Sequence, residues 1–121
     1  MNYKWTKDKI ADWHKKALPN CTIAQQHSKA NREAREYIYA KLHDDKLGML
    51  EEMADIYIVH VVLSKRFNND MAKIICRWIE GNKNFERIRK AVDDKMDINA
   101  TRKFAWVKGE WRHVEEEGEK L

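Results

Sequence analysis

The sequence predicts an all-α fold, a four- to five-helix bundle with a central antiparallel helical hairpin. Three observations carry this reading. One proline and four glycines in 121 residues leave little material for the frequent turns that an all-β chain needs. Apolar residues recur at three- and four-residue intervals along most of the chain. Between those stretches stand short Asn-, Asp- and Pro-containing clusters of the kind that stop one helix and cap the next. With 43% hydrophobic and 36% charged residues, the composition is globular rather than disordered. The length suits one domain, residues 1–121, with an acidic tail from about 108 to 121 expected to be irregular and mobile at its end.

The elements follow in order. Trp5, Ile10, Trp13 and Ala17 fall near one stripe, which predicts a short amphipathic helix over 3–17. Leu18-Pro19-Asn20 breaks it, because proline disfavours helix at the residue before it. Thr22 is placed as an N-cap, and Gln25 three residues on completes a capping-box pattern. A long helix over about 23–42 follows, with Ala30, Glu33, Ala34, Tyr37, Ile38 and Leu42 at helical spacing. His43-Asp44-Asp45 is a turn in which Asp44 or Asp45 caps a helix over about 46–66. The second half of that helix, Ile56 to Leu63, is almost wholly apolar and β-branched, so a strand competes there. Leu47, Leu50, Met53, Ala54 and Tyr57 carry helical spacing straight into it and favour the helix. A helix apolar all round belongs at the centre of a bundle or in a subunit interface. Asn68-Asn69-Asp70 caps a shorter helix over about 70–80, with Met71, Ile74, Ile75 and Trp78. Gly81-Asn82 ends it, and a last helix covers about 83–103.

Net charge is +4, but the signs are mixed along the chain, so no stable nucleic-acid partner is expected. No apolar run approaches the roughly 20 residues that span a bilayer, and the N-terminus lacks the apolar core of a signal peptide. Cys21 and Cys76 stand alone, with no C-x-x-C pair. They read as ordinary thiols of a reducing cytoplasm rather than a disulfide framework or a zinc site.

The residues that carry chemistry are acidic. Glu33 and Glu36 lie three apart and so share a helix face, and Glu52 and Asp55 repeat the spacing on the next helix. Counted from Asp44, Glu36 is eight residues before and Glu52 eight after, while Glu33 is eleven before and Asp55 eleven after. In an antiparallel hairpin Glu36 then faces Glu52 and Glu33 faces Asp55, about 12–17 Å from the turn. Four carboxylates in one place raise each other's pKa values. One or two divalent cations offset that charge, and all-oxygen donors favour Mg²⁺ or Mn²⁺ over zinc. Taken singly, an E-x-x-E pair is surface charge; the mirrored placement beside an apolar core is what argues for a metal site. A di-iron bundle would need two E-x-x-H motifs, and the only one here is Glu110 to His113, in the tail. Near the C-terminus, Lys95, Asn99 and Arg102 at i, i+4 and i+7 share a face of the last helix. They are placed either to contact phosphates or simply to complement the helix macrodipole.

Glu33-x-x-Glu36, fifteen residues, then Glu52-x-x-Asp55 resembles the signature of the all-α, MazG-like nucleotide pyrophosphohydrolases. Lys29 a turn before the first pair and Glu-Met-Ala-Asp-Ile-Tyr-Ile at 52–58 strengthen the likeness. Leu-Pro-Asn-Cys-Thr at 18–22 and Lys-Met-Asp-Ile-Asn-Ala-Thr-Arg at 95–102 resemble the short phage and bacterial members in particular. The likeness spans about residues 13–106. It implies a helical bundle that assembles as a dimer or tetramer. It also implies Mg²⁺ on the acidic quartet and hydrolysis of a (deoxy)nucleoside triphosphate to the monophosphate and pyrophosphate. A cytoplasmic location follows, bacterial, or that of the host for a phage-encoded chain. Within that scheme the quartet is catalytic, and Lys29, Lys95, Asn99 and Arg102 bind substrate. Trp13 is a candidate to stack on the base, although a tryptophan on an apolar stripe is more often core. The chain departs from the pattern at Arg32, where the first motif often carries a further Glu. The alternative is therefore a weakly active or inactive MazG-like protein that binds a nucleotide or a partner. A plain helical interaction or nucleic-acid-binding module is a third reading.

Overall fold

A computed structural model describes residues 3–107 and 110–114 of the chain. It contains five helices, α1 (Lys7–Ala17), α2 (Ile23–Leu42), α3 (Lys46–Lys65), α4 (Asp70–Glu80) and α5 (Phe85–Asn99), followed by strands β1 (Lys103–Val107) and β2 (Glu110–Val114). The helices form an all-α bundle organised around α3, which packs against each of the other four. Helix α3 is its centre, and α2 packs on α3 as the antiparallel hairpin that the capping signals and apolar spacing predict.

Local chemistry sets the boundaries. Thr22 and Gln25 form the capping box, with Gln25 N donating to Thr22 Oγ1 (3.2 Å) and Thr22 N donating to Gln25 Oε1 (2.9 Å). In the α2–α3 turn Asp44 takes a left-handed φ of 51°, a conformation aspartate tolerates better than most residues. Asp45 then caps α3 by accepting from Gly48 N (2.9 Å). Asn69 caps α4 by accepting from Ala72 N (2.9 Å).

The apolar run of α3 is interior helix, not strand. Ala54, Tyr57, Ile58, Val59, Val61, Val62 and Leu63 are all buried. Around them close Ile10 of α1, Cys76 and Ile79 of α4, and Ile88, Val92 and Met96 of α5. Ala30 of α2 and Ala72 of α4 pack on Val59 and Leu63. Burial on most sides of this run is why its sequence shows no polar stripe.

The structure corrects several expectations. Helix α1 starts at Lys7, not at residue 3, because Thr6 takes the cap position and accepts from Lys9 N (3.2 Å). The preceding residues run along α5 instead. There Lys4 N and Trp5 N donate to Asp93 (3.2 and 3.1 Å), and the Trp5 indole donates to Asp97 (2.9 Å). Helix α4 turns Ala72, Cys76 and Ile79 inward. Of the residues whose spacing predicted it, Ile75 packs partly buried against the core, while Met71, Ile74 and Trp78 lie on the outside, with Trp78 72% exposed. Helix α5 stops at Asn99 rather than near 103. Strand β2, inside the stretch from about 108 expected to be irregular, pairs antiparallel with β1 just before it, registered Lys103 to Val114 and Val107 to Glu110. Phe104, Trp106 and Val107, residue types enriched in strands, favour strand over helix there. The Glu110–His113 motif therefore sits on strand backbone, where it is not the helical E-x-x-H of a di-iron bundle. The rest of the acidic tail, from 115 on, lies outside the described residues. Among the described residues no helix is long and apolar enough to cross a membrane.

Candidate metal centre

The α2–α3 hairpin brings three of the four predicted carboxylates into one cluster. Glu33, Glu36 and Glu52 each offer an oxygen, and these oxygens lie within 4.8 Å of one another. Glu33 is buried at 7% exposure, Glu52 is half-buried, and Glu36 is exposed. The count from Asp44 brings Glu36 to Glu52 because both helices run unbroken from the turn past the acidic pairs, but Glu33 also meets Glu52, and Asp55, expected opposite Glu33, pairs with Lys95 instead.

The cluster holds protons that isolated glutamates would have lost. Burial, then the charges of Asp55 and Glu36, push the Glu33 carboxyl up to about 8. Burial and Asp55 push Glu52 up to about 7. Glu33 hydrogen-bonds to Glu52, and Glu52 in turn to Glu36. Contacts between carboxyl groups need a shared proton, and the raised values supply one. Even so, Glu33 Oε2 and Glu52 Oε2 are buried with no hydrogen-bond partner. A buried acceptor without a donor is costly. Two such oxygens beside a third carboxylate fit a bound cation.

Asp55 lies at the edge of this cluster. Its Oδ2 is ion-paired with Lys95 Nζ at 3.2 Å. Burial raises its pKa, while Lys95 and then Lys29 oppose the rise. Lys29, largely enclosed, has its own pKa lowered by desolvation, with Glu33 acting against that. Two ammonium groups thus stand at the Asp55 end of the carboxylates. The spacing of acidic residues gives no hint of the Lys95 pairing, because it depends on how α5 crosses α3.

The other predicted substrate contacts separate. Asn99 is the last residue of α5, and its Nδ2 donates to Met96 Sδ (3.8 Å). Arg102 falls beyond the helix, exposed, with its backbone N donating to Asn99 O (3.1 Å). The shared face of Lys95, Asn99 and Arg102 therefore ends at Asn99, because α5 closes about one turn early. Trp13 is half-buried against the main core, edge-on to His14 at 6.1 Å between ring centroids. That is the packing of a core tryptophan. Arg32, half-buried on α2, adds to the positive field that lowers Lys29.

Sequence reasoning missed a groove on the turn side of the cluster. It encloses about 560 Å³, between the α2–α3 hairpin and the start of α5, and its lining includes Tyr37, Met49, Met53, Asn82 and Asn84. Tyr37 directly follows Glu36 and Met53 directly follows Glu52. The asparagines come from the α4–α5 connection, which no spacing pattern links to α2.

No family model, curated protein or solved structure matches this chain.

Proposed function

We propose that the protein is a Mg²⁺-dependent nucleoside triphosphate pyrophosphohydrolase that converts a (deoxy)nucleoside triphosphate to the monophosphate and pyrophosphate. The observation that carries the reading is the Glu33–Glu36–Glu52 cluster with its two buried, unpartnered oxygens. Glu33, Glu36 and Glu52 would hold the ion, with Asp55 beside them, and the all-oxygen donor set suits Mg²⁺ or Mn²⁺. A bound divalent ion supplies charge neutralisation on the phosphates and lowers the pKa of water.

The chain's own residues divide the remaining work. Glu36, the exposed carboxylate, accepts the proton of the water that attacks the α-phosphorus. Lys29 and Lys95, at the Asp55 end, neutralise the charge that develops on the departing pyrophosphate. For Lys95 this requires exchanging Asp55 for a phosphate oxygen. Assembly as a dimer or tetramer belongs to the same reading and is supported by exposed apolar side chains such as Tyr39, Leu42 and Leu47 near the hairpin turn.

The test is Mg²⁺-dependent pyrophosphate release from a panel of deoxynucleoside triphosphates by wild type, Glu36→Gln and Asp55→Asn. Wild-type rates in both variants would overturn the reading. A second reading, a MazG-like protein that binds without turnover, is favoured by Arg32 in place of an acid and by the Lys95 pairing that holds Asp55 aside. Metal binding without pyrophosphate release would select it.

A further inference from the structure

We infer that the groove lined by Tyr37, Met49, Met53, Asn82 and Asn84 receives the nucleoside end of the triphosphate. This rests on the metal reading above and adds a polarity to it. The two cations beside the carboxylates lie on one side of them. Lys29 precedes Glu33 by one turn of α2, and Lys95 pairs with Asp55, the acidic residue of α3 farthest from the hairpin turn. A pyrophosphate group held by those ammonium groups points away from the turn. Cleavage between the α- and β-phosphates places the α-phosphorus at the carboxylates, so the nucleoside extends the other way. The groove lies there, with Met49 one turn before Glu52, about 5 Å along the helix axis.

Its chemistry suits a nucleobase. Tyr37 supplies an aromatic face, and Met49 and Met53 supply adaptable apolar walls, so the surface accepts a flat ring. Asn82 Oδ1 accepts from Asn84 N (2.8 Å), so Asn82 offers its amide donors, while the Asn84 carboxamide can both donate to and accept from the edge of a base. Asn84 precedes α5 yet makes no side-chain cap hydrogen bond. Its carboxamide is therefore not committed to the helix it begins. Lys41 and Arg87, also in the lining, give the groove a positive field that draws a polyanion in from solvent.

The test compares two ligands on the full-length chain with and without Mg²⁺: an α,β-methylene deoxynucleoside triphosphate, used as a panel of four bases, and inorganic tripolyphosphate, which has no nucleoside. Binding is measured by calorimetry on wild type, Tyr37→Ala and Asn84→Ala, with circular dichroism to establish that each variant is folded. Tyr37→Ala weakens the best methylene analogue about tenfold, the loss expected for one stacking aromatic. Asn84→Ala, at an exposed position, weakens it about fivefold, as for one hydrogen bond, and alters the ranking of the four bases. Tripolyphosphate affinity stays unchanged in both. Equal losses for the two ligands, no loss for either, or no binding of either by wild type would overturn the groove assignment. Failure of the metal reading has a different signature. The analogue would then bind wild type equally well with and without Mg²⁺, and the variants would still decide the groove.

Discussion

Two clusters of enclosed polar groups lie near the two ends of α3, and they are built on opposite principles. At the C-terminal end, Arg66 donates to Leu18 O, Pro19 O and His14 Nδ1, each at 2.8 Å. Burial, with the Arg66 and Lys29 charges, depresses His14 to about 4, so its imidazole is neutral at pH 7 and accepts the guanidinium hydrogen. That cluster is self-sufficient and pins the α1–α2 turn to α3. At the other end, the carboxyls of Glu33, Glu52 and Glu36 offer only acceptors and shared protons, and two oxygens have no donor at all. A charged donor surrounded by complementary neutral acceptors builds structure. Like charges gathered without a counter-ion are tolerated in a fold when something else supplies the charge.

The sharpest way to break the comparison is to remove one member of each cluster. Glu33→Gln should cut Mg²⁺-dependent turnover by at least about a hundredfold, since the ion contributes several kcal/mol to such reactions. The same change should leave the melting temperature of the metal-free protein unchanged or raised, because glutamine resembles the protonated carboxyl that the metal-free cluster already holds. Arg66→Met should do the reverse. It removes three hydrogen bonds, although Leu18 O keeps the one from Cys21 N (3.1 Å), and should cost about 2–3 kcal/mol of stability, read by urea denaturation, while the folded fraction keeps its kcat. If Glu33→Gln lowered stability as much as Arg66→Met does, the carboxylate cluster would be structural.

pH separates the clusters next, and the signs differ. Glu33 and Glu52 bind protons more tightly folded, at about 8 and about 7, than at their ordinary 4.5. Their stabilising protonation is complete below 4.5 and is lost as pH rises through 7 and 8. His14 is depressed from 6.5 to about 4, and burial lowers His60 in the same sense. The contribution of His14 is present above 6.5 and is lost as pH falls toward 4, and that of His60 runs in the same direction. Metal-free protein should therefore lose several degrees of melting temperature between pH 6.5 and 8. Mg²⁺ should abolish that loss, because it binds the ionised carboxylates of the folded state. A flat profile in EDTA would contradict the raised carboxyls.

How much of this was legible follows from which interactions are local. The acidic cluster could be counted from Asp44 because helix geometry fixes each residue's height above a turn, and Thr22, Asp45 and Asn69 announced the helix starts by local capping chemistry. What crosses between distant elements was not legible. The Lys95–Asp55 pair depends on the angle of α5 over α3. The groove depends on Asn82 and Asn84 arriving from a connection with no periodicity. Helix α4 was misread at the level of its face, because its inward residues Ala72 and Cys76 are small and its outward ones, Met71 and Trp78, are large and apolar. Arg102 was misplaced because the change from helix to strand after Asn99 carries no glycine or proline to mark it.

The smallest expected effect concerns the turn that gives the carboxylate cluster its register. Asp45 accepts from Gly48 N, and a Cβ on Gly48 would lie 2.4 Å from Asp45 Oδ2. Cap and glycine are therefore fitted to each other. Asp45→Ala removes the cap and should cost about 1 kcal/mol, measured by urea denaturation. The turn has a second anchor, since Asp45 N donates to Ala40 O at 2.9 Å, and alanine keeps that bond. The heights of Glu36 and Glu52 above the turn should then persist, and Mn²⁺ affinity should stay within about twofold of wild type, a difference of under half a kcal/mol. A large loss of Mn²⁺ affinity at this small cost in stability would show that the cluster is positioned by the cap itself rather than by the packing of α2 on α3.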